Sequence, residues 1–414
     1  AIEDHGIDGY TLMQRAGAAA VRAARDRFPE AKRWQVICGG GNNGGDGYVV
    51  ARLAVNDGIV VSVLTLVDPD TLAGDAAKAC ADFVAEGGVV SRWAGELDGD
   101  ADLLVDAILG SGLERDVSGA FADAVNAINA HAARVHAMDI ATGIHGDTGA
   151  VMGCAVKADL TTTFVGLKAG LFLGSGPNYC GQITYAGLDI SDEIRSGVEV
   201  LCRRIDDDLL AKALPRRVRG AHKGDFGHVL VVGGGPGMPG AARLCGEAAL
   251  RSGAGRVSIA THPAHAASMC ATRPELMCYG VSSAAELRTL LDKADVVAFG
   301  SGLGQTDWAR ECYEELAQDE RPAVRDADAL NLLAASPATA ENRVITPHPG
   351  EAATLLGIDN AAIQSDRLAA LRALSDRYAG VSVLKGAATL IGRDSGLPWV
   401  CTAGNPGMAT PGMG

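Results

Sequence analysis

At 414 residues the chain exceeds one ordinary core and is long enough for two domains. A formal charge of −14 repels polyanions, so no nucleic acid is expected as a partner. Hydrophobic content of 48 %, 54 glycines and 4 % aromatic residues argue against disorder and suit an α/β protein rich in small-residue turns.

In chain order, residues 12–24 place small apolar residues at helical spacing, and residues 34–38, 60–67, 103–108, 135–140 and 160–164 read as short buried strands. Helical patterns lie between most of them. Alternation at ~30-residue intervals predicts a parallel, doubly covered sheet with ligand sites at the strand C-terminal ends. Residues 192–219 turn charged and end in the basic stretch Pro215-Arg216-Arg217-Val218-Arg219-Gly220, the natural linker. A second alternation follows through residues 228–232, 295–299, 344–345 and 381–384. The halves share no common period, so no internal repeat is expected. The ten cysteines are scattered without CxxC spacing, as in a reduced cytoplasmic protein. No apolar run approaches the ~18 residues of a membrane span and no leader pattern precedes Ala1, so no membrane partner is expected. Without an initiator Met, the start reads as trimmed or not included.

The first glycine-rich loop runs Gly39-Gly40-Gly41-Asn42-Asn43-Gly44-Gly45-Asp46-Gly47, between an apolar strand and a helical pattern. Glycines there permit positive φ and close approach, and the first helix amides are free donors, so an anion belongs at that spot. The spacing formally matches a dinucleotide fingerprint, with Asp68 after the next strand, but a dehydrogenase turn has no need of Asn42, Asn43 and Asp46. Those oxygens suggest a hard cation and a polar ligand. Asp106 and Asp139 close two further strands and converge on the same sheet edge, where a carboxylate serves as acid, base or cation ligand; taken singly, each also reads as a cap or turn former. Lys168 follows another strand and either neutralises a phosphate or is simply solvated.

In the second half, residues 233–240 lack the ending of a Walker loop. A different nucleotide pocket is suggested by Gly300-Ser301-Gly302-Leu303-Gly304, Asp326-Ala327-Asp328, Thr346-Pro347-His348-Pro349-Gly350-Glu351, Lys385-Gly386-Ala387-Ala388-Thr389 and residues 404–414. His348, between prolines, also reads as a turn former. His262, His265 and Cys270 mimic metal spacing but lack a fourth ligand, so zinc is not expected.

With these motifs assembled, the chain resembles the bifunctional NAD(P)H-hydrate repair enzymes, an NAD(P)HX epimerase fused to an ADP-dependent NAD(P)HX dehydratase. The resemblance spans the whole chain. It is carried by Leu12-Met13-Gln14-Arg15-Ala16-Gly17, the loop 42–47, Asp106 with its Gly-Ser-Gly-Leu, Asp139, Lys223-Gly224-Asp225-Phe226-Gly227-His228, Arg273-Pro274-Glu275-Leu276-Met277, residues 326–331, 346–351, 385–389 and 404–410. It implies two α/β domains, a Rossmann-like three-layer sandwich over residues 1–203 and a ribokinase-like domain over 204–414.

In the first, the resemblance implies that Asn42, Asn43, Gly44, Gly45 and Asp46, Gly110, Ser111, Gly112, Leu113, Glu114, Arg115 and Asp116, and Lys168 bind the hydrate. Asp139 is then the catalytic residue, and Asn43, Asp106 and Thr142 hold a potassium ion. Ala141 and Thr142 stand where the family has Pro and Ser, a loss mainly of rigidity. In the second, it implies that Ala254, Gly302, Gly304 and His348 hold the hydrate, while Lys385, Gly386, Ala387, Ala388, Thr389 and Gly414 hold ADP, with magnesium as a further ion. NADHX, NADPHX and ADP are the implied small-molecule partners, within a homo-oligomer. The family pattern continues beyond Gly412-Met413-Gly414 into an aspartate and a helix, so the 414-residue form is expected to be dehydratase-defective. The competing readings are a small-molecule kinase of the ribokinase group for the second half and a non-catalytic nucleotide-binding or scaffold module for the first.

Overall fold

The computed structural model describes residues 6–271 and 273–413. The expectations placed on the start at Ala1 and on Gly414 lie outside them. The chain divides into two units, Ala1–Leu201 and Cys202–Gly414.

In the first unit, helix α1 (Gly9–Arg27) begins at Asp8, whose carboxylate accepts the Thr11 amide at 2.9 Å, and ends on Arg25 and Arg27, both favourable against the helix dipole. Then follow β1 (Arg33–Cys38), α2 (Asn42–Asn56), β2 (Val60–Thr65), α3 (Gly74–Ala85), β3 (Val90–Arg92), β4 (Leu103–Ala107), α4 (Ala120–Ala130), β5 (Arg134–Met138), β6 (Leu160–Phe164) and β7 (Gln182–Ala186). The strands form one parallel sheet in the order β3-β2-β1-β4-β5-β6-β7. Every residue of β4 and β6 is buried, as continuous apolar or small-residue strands of a doubly covered sheet must be. The winding reverses between β1 and β4, so the loops leaving these neighbouring strands splay to opposite faces and open a crevice.

Two expectations are corrected here. The glycines of the first loop do not take positive φ. They are required by close approach: a methyl on Gly39 collides with the Ile108 carbonyl oxygen, one on Gly44 with the Gly39 carbonyl oxygen, and one on Gly47 would lie 2.9 Å from Cys38 Sγ. In addition, Asn42, Asn43 and Asp46 belong to α2 itself rather than to the loop before it.

The second unit forms a ten-stranded sheet in the order β11-β10-β9-β12-β13-β14-β15-β16-β17-β8. Its strands are β8 (Arg203–Arg204), β9 (His228–Val232), β10 (Arg256–Thr261), β11 (Met277–Gly280), β12 (Val296–Phe299), β13 (Ala323–Arg325), β14 (Arg343–Ile345), β15 (Val381–Leu384), β16 (Thr389–Arg393) and β17 (Trp399–Cys401). At one end the sheet is not parallel, since β16 runs antiparallel to both β15 and β17. The second unit begins at Cys202, ahead of the expected boundary after residue 203, because Arg203 and Arg204 pair with Trp399 and Val400. The charged stretch read as a linker holds two short helices, Asp192–Ser196 and Asp207–Ala213, capped by Ser191 and Asp206.

Candidate active site

At the crevice of the first unit, α2 starts from Gly41 with extended backbone and no side-chain cap, leaving its first amides directed at the space beyond β1 and β4. The second residue of that helix, Asn43, is buried, and neither its amide oxygen nor its nitrogen has a hydrogen-bond partner. A buried primary amide without partners costs free energy unless a ligand completes it.

Asp106, in β4, is fully buried. Its carboxylate accepts the Thr142 hydroxyl at 2.6 Å, the Thr142 amide at 2.8 Å and the Ile108 amide at 3.3 Å. Burial pushes its pKa up to about 6, against the pull of the Thr142 hydroxyl and the two amides. Thr142 Oγ1 also accepts the Leu109 amide at 3.0 Å, so it locks the loop after β4 to the loop after β5.

Asp139 leaves β5 in the left-handed region, at φ 67°, a conformation that costs a non-glycine residue energy and marks a position constrained by its surroundings. Its amide is held by the Thr162 carbonyl at 2.8 Å. Lys168 pairs with the Asp139 carboxylate and also donates to the Phe164 carbonyl at 2.9 Å and Thr163 Oγ1 at 3.1 Å. Asp46, from the second turn of α2, lines the same cleft. Burial first, and then the neighbouring Asp139, push its carboxyl well above the ordinary aspartate range, with Lys168 acting in the opposite direction.

Asn43, Asp46, Asp139 and Lys168 line one cleft of about 960 Å³, ample for a small-molecule ligand. Of the residues expected there, Asn42, Asn43, Asp46, Gly110, Ser111, Gly112, Leu113, Glu114, Arg115, Asp139 and Lys168 line it. Three do not. Gly44 and Gly45 are covered inside the fold, the latter packing under Met13, and Asp116 is exposed on the far side of its loop, beside Gly153. The apolar wall escaped site prediction: Leu12, Met13 and Ala16 from α1, with Phe164, Val165 and Leu188, carry no chemistry-bearing group. Only the hexapeptide containing the first three signalled them.

In the second unit, the turns after β12, β14 and β15 leave the same sheet edge, because these strands are parallel. Lys385 Nζ lies 2.7 Å from Asp326 Oδ1 and 3.9 Å from Glu351 Oε2, and Thr346 donates to Asp326 Oδ1 at 2.9 Å. His348 forms a reciprocal cap for helix Pro349–Leu356: Nδ1 accepts the Gly350 amide at 3.0 Å, while Glu351 accepts the His348 amide at 2.8 Å. The turn former and the candidate ligand are thus one residue. The Gly304 amide is held by Asp328 at 2.8 Å, and Gly302 and Gly304 both take positive φ. Residues 385–388 are shaped by Arg367, buried at the start of helix Arg367–Tyr378, which donates to the carbonyls of Leu384, Lys385 and Ala388 at 3.1, 3.0 and 3.3 Å. No motif marked Arg367, since it lies inside an ordinary helical pattern. Ala254 is not brought to this group. It precedes β10, at the edge where parallel strands begin, opposite Gly302, His348 and Lys385.

A family model described as YjeF-related protein N-terminus matches residues 9–170, and one described as NAD(P)H-hydrate dehydratase matches residues 229–414. The bifunctional NAD(P)H-hydrate repair enzyme Nnr of Coxiella burnetii is 45 % identical over 411 residues, covering 99 % of this chain and 84 % of that one. The chain belongs to the bifunctional NAD(P)H-hydrate repair enzyme family. The repair enzyme of Escherichia coli K12 is 42 % identical, with 99 % of this chain and 79 % of that one covered. A ribokinase-like superfamily protein from Enterococcus faecalis shares 30 % identity over 51 % of this chain and 75 % of its own, with a TM-score of 0.47. The two family matches fall on the two units, so the repair enzyme family's epimerase and dehydratase parts correspond to the seven-stranded and ten-stranded sheets respectively. Among the described residues, no helix is long and apolar enough to cross a membrane.

Proposed function

We propose that the first unit interconverts the R and S epimers of hydrated NADH and NADPH, and that the second returns the S epimer to the dihydronicotinamide with ADP as co-substrate. The observation that carries the first assignment is the meeting, in one cleft, of an uncapped helix N-terminus for phosphate, the unpartnered Asn43 amide and the Asp139–Lys168 pair. The hydrated ring carries its hydroxyl on C6, next to the ring nitrogen. Inverting C6 by exchange of its hydroxyl requires a proton to be given to the departing oxygen and one taken from the entering water, which Asp139 supports while Lys168 holds its carboxylate in place. Leu12, Met13 and Phe164 wall off water around the ring.

Asn43, Asp106 and Thr142 would hold a potassium ion. Their donor atoms are all oxygens, Asn43 Oδ1 is buried without a partner, and Asp106 supplies the charge, a set that suits a hard cation. When bound, the ion supplies a fixed positive charge for the dinucleotide's phosphates. In the second unit, Lys385 to Thr389 with Lys385–Asp326 would receive ADP with its magnesium, and Gly302, Gly304 and His348 the hydrate. Lys385 meets the nucleotide's charge there, and Asp326 and Glu351 hold the ammonium in place.

The test is NMR of separated R- and S-NADHX with the protein, with and without ADP. Epimer exchange without ADP is expected, and NADH appearing only with ADP would support the second assignment. R and S signals that stay unmixed beyond the spontaneous rate would overturn the first assignment. Phosphorylation of an alcohol substrate without NADH formation would favour a ribokinase-group kinase for the second.

A further inference from the structure

Asp46, Asp75, Glu114 and Asp139 line the cleft of the first unit, and of Asp46 and Asp139 only the latter is hydrogen-bonded to a cation. All three Lys168 ammonium hydrogens are engaged, by Asp139, Phe164 and Thr163. Nothing is left for Asp46. Among the described residues its carboxyl makes no hydrogen bond, although it lines the same cavity. It sits beyond the first turn of α2, where the dipole's support for an anion has faded. The charged and titratable groups facing it are Asp139 after β5, Lys168 after β6, Asp75 at the start of α3, and Glu114 and Arg115 after β4. Burial and the neighbouring Asp139 raise the Asp46 carboxyl, which has no hydrogen-bonded cation to oppose them, so Asp46 is the one poised to carry a proton.

We propose that Asp46 and Asp139 form a proton-exchange pair for C6 inversion, Asp46 donating to the departing hydroxyl and Asp139 accepting from the water that enters the opposite face. This rests on the epimerase reading above. The Asp46 proton goes to the C6 oxygen and the C6–O bond breaks with its electrons, releasing water. The ring-nitrogen lone pair forms a C6=N1 double bond. A water molecule then adds to C6 from the other side, the double-bond electrons return to nitrogen, and the surplus proton of that water passes to Asp139. A proton then returns from Asp139 to Asp46 through solvent, so protons and charge balance over each turnover, and the reverse epimer uses the same pair with roles exchanged. Burial and the Asp139 charge, which hold the Asp46 carboxyl neutral beyond the ordinary range, supply the donor in the resting protein.

The full chain would be assayed by NMR on R-NADHX and S-NADHX with Asp46→Asn, Asp46→Glu and Asp139→Asn. Asp46→Asn is expected to lower kcat about 100-fold or more with KM within about threefold, and to lose the alkaline fall of the pH profile, while Asp46→Glu recovers part of the rate. A raised KM with unchanged kcat would reduce Asp46 to a binding contact and overturn the proposal. Lost turnover in Asp139→Asn beside full turnover in Asp46→Asn sinks the pairing alone. Full turnover in Asp139→Asn sinks the pairing and the epimerase role of Asp139 together. Should Asp46→Asn not fold, the carboxyl 13C signal of Asp46 in the unmodified protein decides. It should remain protonated where an ordinary aspartate is ionised, and an ordinary titration refutes the pair.

Discussion

Thr142 binds Asp106 twice, its hydroxyl at 2.6 Å from Oδ1 and its amide at 2.8 Å from Oδ2, and so ties the loop after β5 to the end of β4. Thr142→Val keeps the shape but leaves a fully buried carboxylate oxygen and the Leu109 amide short of a partner. Urea denaturation should show a loss of about 1–3 kcal/mol, and Thr142→Ser should retain most of the stability. Equal stability of the Val and Ser variants would deny the hydroxyl this role.

Lys168→Met removes the ammonium paired with Asp139 from a cleft that also holds Asp46. Epimer exchange should slow by about tenfold or more, because Asp139 loses both its charge partner and the contact that orients it. Followed by NMR on separated epimers, an unchanged rate would count against any role for the pair.

His136 lies fully buried in β5, with Nε2 2.8 Å from Thr162 Oγ1 and Nδ1 unpartnered. Burial lowers its pKa from 6.5 to about 3. Above 6.5 both folded and unfolded forms are neutral and the group contributes nothing. As pH falls through the window from 6.5 to about 3, the unfolded chain binds a proton that the native chain refuses, so stability drops by about 1.4 kcal/mol per pH unit. His136→Asn should flatten this acid slope relative to the unmodified protein in parallel urea titrations. Identical slopes would show that the buried imidazole is not refused its proton.

Gly39 and Gly41 are two residues apart with opposite requirements. A methyl on Gly39 collides with the Ile108 backbone, whereas one on Gly41 meets nothing within 4 Å at φ −98°. Gly39→Ala should cost several kcal/mol or abolish folding of the first unit, as overpacking against a main chain does, while Gly41→Ala costs about 1 kcal/mol or less. Thermal melts of both variants test the contrast.

Arg367→Lys exchanges a planar group reaching three carbonyls for a single ammonium. The turn at residues 385–388 should loosen and ADP affinity should fall by about tenfold in calorimetry, with Lys385 itself untouched. Unchanged affinity would show that the turn holds its shape without the guanidinium.

Short apolar runs identified β1, β2, β4, β5, β6, β9, β12, β14 and β15 but not the interior strands β10, β13, β16 and β17, because a buried strand is recognised only where it stays apolar along its length. The edge strands β3, β7 and β11 were not legible: partly exposed, they lack that continuous pattern and are recognisable only by their pairing. Asp106, Asp139 and the Asn42 to Asp46 run stood out as polar groups at the ends of apolar segments. Arg367 and the apolar wall of the cleft did not, since an arginine in a helix and a leucine in a core look the same wherever they serve.

Residue types and their order along the chain were enough to determine the alternation of strands and helices, the family, and which polar side chains gather at the strand ends. The tertiary structure alone decided why the first loop needs glycine, that Ala254 stands at the opposite edge from His348, and that Lys168 commits its donors to Asp139 and leaves Asp46 without a cation. Local pattern follows from solvent and backbone geometry, which every segment meets by itself. Close approach, burial and charge pairing arise between segments far apart in the chain, and exist only once it has folded.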